Sequence, residues 1–185
     1  MGGRKAGDAK TLRELRWISV RPKPGDRSKG LLQTPAGVFQ CALGRGGVSS
    51  RKREGDGATP LARMRLLSGY LRERRFSWRS ALPLEPITQT LGWCETPADR
   101  NYNRPVRMPY AASHETMRRQ DNLYDACIVL DWNIKPRTRN KGSAIFFHLA
   151  RADFAPTAGC VAVSHRVMAR LLPLLSNRTV LTVRR

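Results

Sequence analysis

Residues 143–163, Ser143-Ala144-Ile145-Phe146-Phe147-His148-Leu149-Ala150-Arg151-Ala152-Asp153-Phe154-Ala155-Pro156-Thr157-Ala158-Gly159-Cys160-Val161-Ala162-Val163, decide how this chain is read. Two short apolar runs, Ser143 to His148 and Gly159 to Val163, each have strand length, and the lead-in Ala155 to Gly159 has loop chemistry. The first run ends in a histidine and the second opens on Gly-Cys. If the two strands pair side by side, the His148 imidazole can reach the Cys160 thiol, take its proton and lower the thiol pKa, leaving a thiolate nucleophile. The backbone N–H groups of Cys160 and Gly159 can then face a developing oxyanion, because glycine has no side chain to block the approach. The inert alternative stands beside this one: a Cys in an apolar strand is commonly a small core residue, and a His after Ile-Phe-Phe a packed one.

Working outward, the chain predicts mostly strands. Leu12 to Val20 ends at a Pro/Gly stop and suits a strand, although the Leu12/Leu15 spacing also suits a short helix. Val38 to Leu43 and Arg63 to Arg72 are strand candidates, the latter with Met64, Leu66 and Tyr70 on alternating positions. A glycine-rich charged loop separates them. Residues 80–120 look irregular, Leu123 to Trp132 is the best buried strand, and Thr179 to Val183 closes the chain. Ser164 is placed to cap a helix running to about Leu175, with Pro173 weakening its last turn. The expected organisation is a flexible basic tail over residues 1–10 and one domain over 11–185 with an irregular insert at about 81–120.

The 185 residues carry 34 Lys+Arg against 14 Asp+Glu, a net charge of +20, with 27 Arg to 7 Lys. A chain this basic should meet something acidic: nucleic acid, an anionic surface or an acidic polymer. No basic helix or aromatic-basic interleaving marks a specific nucleic-acid reader. No apolar run approaches a membrane span. The four cysteines (41, 94, 127, 160) contain no C-x-x-C pair and the three histidines no close metal spacing, so a zinc site has no support. Cys41 and Cys127 sit in apolar runs as core, and Trp93 and Cys94 are expected to pack the insert. No export signal is visible at the N-terminus.

Two separated segments give the chain a family likeness. Gly55-Asp56-Gly57-Ala58-Thr59-Pro60 resembles the D-G-x-T-P turn of the L,D-transpeptidase (YkuD) catalytic domain, and His148…Thr157-Ala158-Gly159-Cys160-Val161 is similar to that family's histidine followed by Ser/Thr-His-Gly-Cys. Trp93 to Asn103 looks like an insert of a subgroup. The likeness spans roughly residues 15–184 and departs at Ala158, where the family has a second histidine, and at Ala162, Ala62 and Met64.

The resemblance implies a mainly β fold, an L,D-transpeptidase-like β-sandwich with one main helix after the catalytic strand. It implies Cys160 as nucleophile, His148 as general base, the Leu149 carbonyl orienting the imidazole, and Gly159 with Cys160 as oxyanion hole. Thr157 and Ala158 would line the substrate wall. Asn101, Tyr102, Asn103 and Arg104 are candidates for a stem-peptide carboxylate, Arg104 as a bidentate clamp, against the alternative of a turn held by Asn side chains. Ser113-His114-Glu115 is either a second polar cluster over the site or a solvated loop. The implied activity is acyl transfer on peptidoglycan stem peptides by a monomer without cofactor or metal. The alternatives are an L,D-carboxypeptidase using the same acyl-enzyme, or a non-enzymatic nucleic-acid or cell-wall binding module. The family implies the periplasm or cell wall, whereas a chain without an export signal would act in the cytoplasm.

Overall fold

The computed structural model describes residues 14–73, 75–76 and 79–185. The tail expected over residues 1–10 and the start of the Leu12–Val20 segment lie outside the described residues. Fourteen strands follow in order among the described residues: β1 (Trp17–Lys23), β2 (Asp26–Thr34), β3 (Gly37–Ala42), β4 (Val48–Ser49), β5 (Thr59–Pro60), β6 (Arg63–Leu71), β7 (Leu84–Pro86), β8 (Leu91–Cys94), β9 (Pro105–Arg107), β10 (His114–Thr116), β11 (Ala126–Leu130), β12 (Phe146–Leu149), β13 (Val161–Val163) and β14 (Val180–Val183). Helix α1 (His165–Leu171) lies between β13 and β14. The protein is mainly β, as its sequence predicts.

The large sheet runs β11-β12-β13-β3-β2-β1-β14-β6-β7, and β6 also pairs with β11. The two layers of the sandwich are therefore joined at their edges, and the ladder closes on itself. Closure leaves no long unpaired edge to recruit another chain. Ile18, Leu32, Met64, Leu66, Ile128, Phe147, Val161 and Leu181 fill the inside of the curl. Met168 and Leu171 of α1 join the same core.

Ser164 caps α1 as expected, its hydroxyl accepting the Val167 N–H at 3.3 Å. The helix stops at Leu171 rather than Leu175, and Leu172–Leu174 form a 3₁₀ turn. Pro173 has no N–H for the α-helical ladder and its ring crowds the preceding turn, which accounts for the early stop. Tyr70 also departs from its expected side. The ladder with β11 slips between Val129/Leu130, so Val129 faces Ser68 and Leu130 faces Leu66, leaving Leu67 as a bulge. One extra residue inverts the alternation, sending Met64 and Leu66 inward and Tyr70 to the outer layer.

The region expected to be irregular carries a three-stranded sheet, β10-β8-β9. This insert lies over the outer face of β11, β12 and β13. Trp93 and Met117 from the insert, with Tyr124, pack there on Val129, Phe146 and Cys127. Trp93 meets Phe146 edge-on at 5.1 Å, and Tyr124 does so at 5.8 Å. The expected packing role of Trp93 is found, while Asn101 to Arg104 form the turn between β8 and β9.

Candidate active site

Strands β12 and β13 are parallel neighbours with His148 opposite Ala162. Ala162 on β13 and Cys160, the residue just before that strand, line the same cavity as His148, and Cys160 packs with the outer cluster. Ladder spacing puts the Cα atoms of His148 and Cys160 roughly 8 Å apart on the diagonal, a span that an imidazole and a thiol can bridge. Each residue is 5% exposed, and both line a cavity of about 450 Å³ between the sheet, the insert and the loop before Cys160.

His148 Nδ1 lies 2.9 Å from the carbonyl oxygen of Leu149. That contact fixes the tautomer with Nδ1 as donor, leaving the lone pair on Nε2. The Tyr124 ring stands edge-on to the imidazole at 5.0 Å. The Cys160 thiol is held differently from expectation: Sγ accepts the Phe146 N–H at 3.3 Å and donates to the Ala144 carbonyl at 3.2 Å. Burial pushes the thiol up to about 12 and the imidazole down to about 4. Both groups are therefore neutral at neutral pH, and the lowered thiol pKa expected from the sequence is reversed. Desolvation of a charge outweighs anything the neutral imidazole offers.

The loop before Cys160 is built on the glycine-rich turn. Gly159 has φ +141°, and a Cβ there would meet the Ala58 carbonyl at 2.9 Å. Arg45 N–H donates to the Thr157 carbonyl at 2.9 Å, and Gly44 N–H to Thr59 Oγ1 at 2.9 Å. Asp56 accepts from Lys52 Nζ at 2.5 Å and from Ala58 N–H at 2.9 Å. Burial alone would raise the Asp56 carboxyl, but these donors outweigh it and hold it below the usual range. Thus the two family-like segments, distant in sequence, touch at Ala58 and Gly159.

Thr157 Oγ1 donates to the Cys160 carbonyl at 2.8 Å and accepts the Gly159 N–H at 3.1 Å. That corrects one expectation: the Gly159 N–H is already bonded and does not face an oxyanion here. Thr157 and Ala158 do line the cavity. Asn101, Tyr102, Asn103 and Arg104 do not. Asn101 bonds Tyr110 and Asp99. Tyr102 donates its hydroxyl to Glu54, which does line the cavity. Asn103 is a buried bracket whose Oδ1 accepts from Trp93 Nε1 and Ala144 N–H, both at 3.0 Å, and whose Nδ2 donates to the Trp132 carbonyl at 3.1 Å. Arg104 is exposed on the turn. The Asn-held turn is the alternative that the structure favours, because the Asn101, Tyr102 and Asn103 side chains are spent on bonds within the protein and none of the four lines the cavity.

Of the Ser113-His114-Glu115 cluster, only Glu115 lines the cavity. Burial, then the nearby Glu95, raises its carboxyl above the ordinary value, with Arg119 opposing at 3.6 Å. Sequence reasoning missed Lys52, Glu54, Glu95, Arg119 and Tyr124 on the cavity wall. The adjacency of Lys52 and Glu54 to Gly55 was the available signal. Glu95 and Arg119 sit in segments that only the insert's folding brings over the sheet, and Tyr124 sits just before β11.

All four cysteines are free and buried. Among the described residues no three of His, Cys, Asp or Glu converge to hold a metal ion, and no helix is long and apolar enough to cross a membrane. No curated protein and no solved structure matches the chain. The family model of the YkuD L,D-transpeptidase catalytic domain matches residues 27–183, so the chain belongs to that family.

Proposed function

We propose that this protein is a cysteine acyl-transferase that works on peptidoglycan stem peptides through an acyl-thioester on Cys160. The family acts on peptidoglycan and its members are typically L,D-transpeptidases. The observation that carries the finer reading is the shared cavity of Cys160 and His148 on one face of adjacent parallel strands.

The chemistry starts from the neutral pair. A stem-peptide carbonyl entering the cavity draws the thiol from Ala144 toward His148. Nε2 takes the thiol proton as the S–C bond forms, and the carbonyl oxygen gains the charge. The Cys160 N–H stabilises that oxyanion. The imidazolium returns its proton to the leaving amine as the C–N bond breaks, releasing the terminal D-amino acid. An acceptor amine then attacks the thioester, His148 takes its proton, and the sulfur departs and is reprotonated. Water in the acceptor's place gives carboxypeptidase products from the same intermediate.

Incubation with tetrapeptide muropeptides and mass analysis of the products tests the reading. Cross-linked or exchanged products, absent with Cys160→Ala, are expected; identical products from the variant would refute it.

A further inference from the structure

The catalytic cavity does not end at its own rim. Arg45 and Pro156 line both the cavity and a shallow depression formed by the β1–β2 turn, where Lys23 and Arg27 stand. The rim between the two is fixed by backbone, since Arg45 N–H bonds the Thr157 carbonyl and Gly44 bridges Thr157. A second depression continues past the turn, sharing Pro22, Lys23 and Arg27 with the first and adding Arg21 and Arg185. The cavity and the two depressions thus lie in a row across one surface, sharing lining residues at each step, and together they form a groove.

Its charge is one-sided. Arg21, Lys23, Arg27, Arg45 and Arg185 are all exposed, and none forms an ion pair or side-chain hydrogen bond with a described residue. Asp26 is the lone acid in the lining, and it is spent locally: its carboxylate accepts the Ser28 N–H at 3.0 Å and the Ser28 hydroxyl at 2.7 Å, with Lys29 at 3.7 Å. Elsewhere on the protein several arginines are balanced, as Arg119 is by Asp121 and Arg72 by Asp125. The aliphatic stem of Arg27 lies across Gly47, 3.4 to 3.7 Å from where a Cβ would sit, which holds its charge over the groove. Unpaired exposed cations lining one channel raise the local concentration of an anionic partner.

We infer that this groove binds the anionic continuation of the polymer whose peptide occupies the cavity: the carboxylate-bearing stem peptides of neighbouring peptidoglycan units. The inference rests on the function proposed above, because continuity with the cavity is what selects the substrate's own polymer over a nucleic acid. The cavity would hold the reacting peptide, while the groove would select polymeric over fragmentary substrate and supply affinity without touching the reacting atoms.

The double variant Lys23→Glu/Arg27→Glu tests this, since both side chains are exposed and neither lines the cavity. Co-sedimentation of the full chain with purified insoluble peptidoglycan is measured from low to physiological salt. Turnover of a soluble tetrapeptide muropeptide is followed in parallel. Sacculus binding is expected to fall at least about tenfold with a shallower salt dependence, while muropeptide turnover stays within about twofold. Unchanged sacculus binding, or a loss confined to duplex DNA in a matched titration, overturns the groove. A wild-type protein that binds sacculi but turns over no muropeptide would instead sink the proposed function, so the two failures are separable.

Discussion

The Cys160 thiol donates to the Ala144 carbonyl at 3.2 Å, not to the imidazole across the ladder. Ala144 is in the left-handed region with φ +51°, its N–H is held by Asn103, and its carbonyl is thereby turned toward the sulfur. The Cys160 thiol rests neutral and hydrogen-bonded in a buried site. In the proposed reaction, the bond to Ala144 must break before the thiol proton can pass to the imidazole.

A resting thiol pushed up to about 12 reacts slowly with soluble electrophiles. Alkylation of Cys160 by iodoacetamide, followed by peptide mass analysis, should rise about tenfold per pH unit through pH 9 without levelling. A plateau near neutrality would mean that a thiolate–imidazolium pair already exists in the free enzyme.

The His148 imidazole, lowered to about 4 by burial, is unprotonated across the neutral range, as the proposed general base must be. The acid limb of kcat/KM should therefore fall near pH 4 rather than near 6.5, and His148→Gln should lower kcat by about 10² to 10⁴. Stability follows the same group. The unfolded histidine titrates near 6.5 and the folded one near 4, so between those values the unfolded chain binds more protons. This contribution is full above about pH 6.5 and is lost as pH falls toward 4, amounting to about 3 kcal/mol. Urea titrations at neutral and acid pH should show a smaller acid loss for His148→Gln than for the wild type.

Gly159→Ala should be damaging without touching chemistry directly. Its φ of +141° disfavours any side chain, and the new Cβ would press on the Ala58 carbonyl at 2.9 Å. A loss of about 2 kcal/mol in unfolding free energy is expected, with Cys160 displaced and turnover lost. Stability equal to wild type would show that the glycine-rich turn does not buttress the nucleophile.

Asn103→Ala removes three hydrogen bonds: one to Trp93 within the insert, and two that join the insert to the loop before β12 at Trp132 and Ala144. The Trp93 indole and Ala144 N–H are left without a partner, so a destabilisation of about 2 to 3 kcal/mol is expected from chemical denaturation. Cys160 alkylation should also speed up relative to wild type at the same pH as Ala144 relaxes. Unchanged stability would contradict the bracket.

Much of the fold was legible because its strands carry their own signals. Phe146 to Leu149, Val161 to Val163 and the Ser164 cap follow from apolar runs and a hydroxyl at the helix start. Strand β2 was not legible: Gly30 and its charged neighbours break the pattern, yet Gly30 is needed where the Arg21 carbonyl and Cys41 Sγ would each lie 2.9 Å from a Cβ. The bulge at Leu67 was invisible for the same kind of reason, since register is set by the partner strand and not by the strand itself. Within the site, the placement of His148 and Cys160 on neighbouring strands could be anticipated from two short runs. Their protonation states could not, because burial depends on Trp93 and Met117, which the insert brings over the sheet, and on Tyr124 beside them. The same holds for Asn103, whose polar side chain suggests a ligand-binding turn until its three partners are seen.

The central claim is a covalent bond between the substrate acyl group and the Cys160 sulfur. Intact-protein mass spectrometry after rapid acid quench of a reaction with a tetrapeptide stem measures it most directly. The expected result is an added mass equal to the stem peptide minus its terminal D-amino acid, on the peptide containing Cys160 and absent from Cys160→Ala. An adduct on another residue, or turnover with the variant intact, would contradict it.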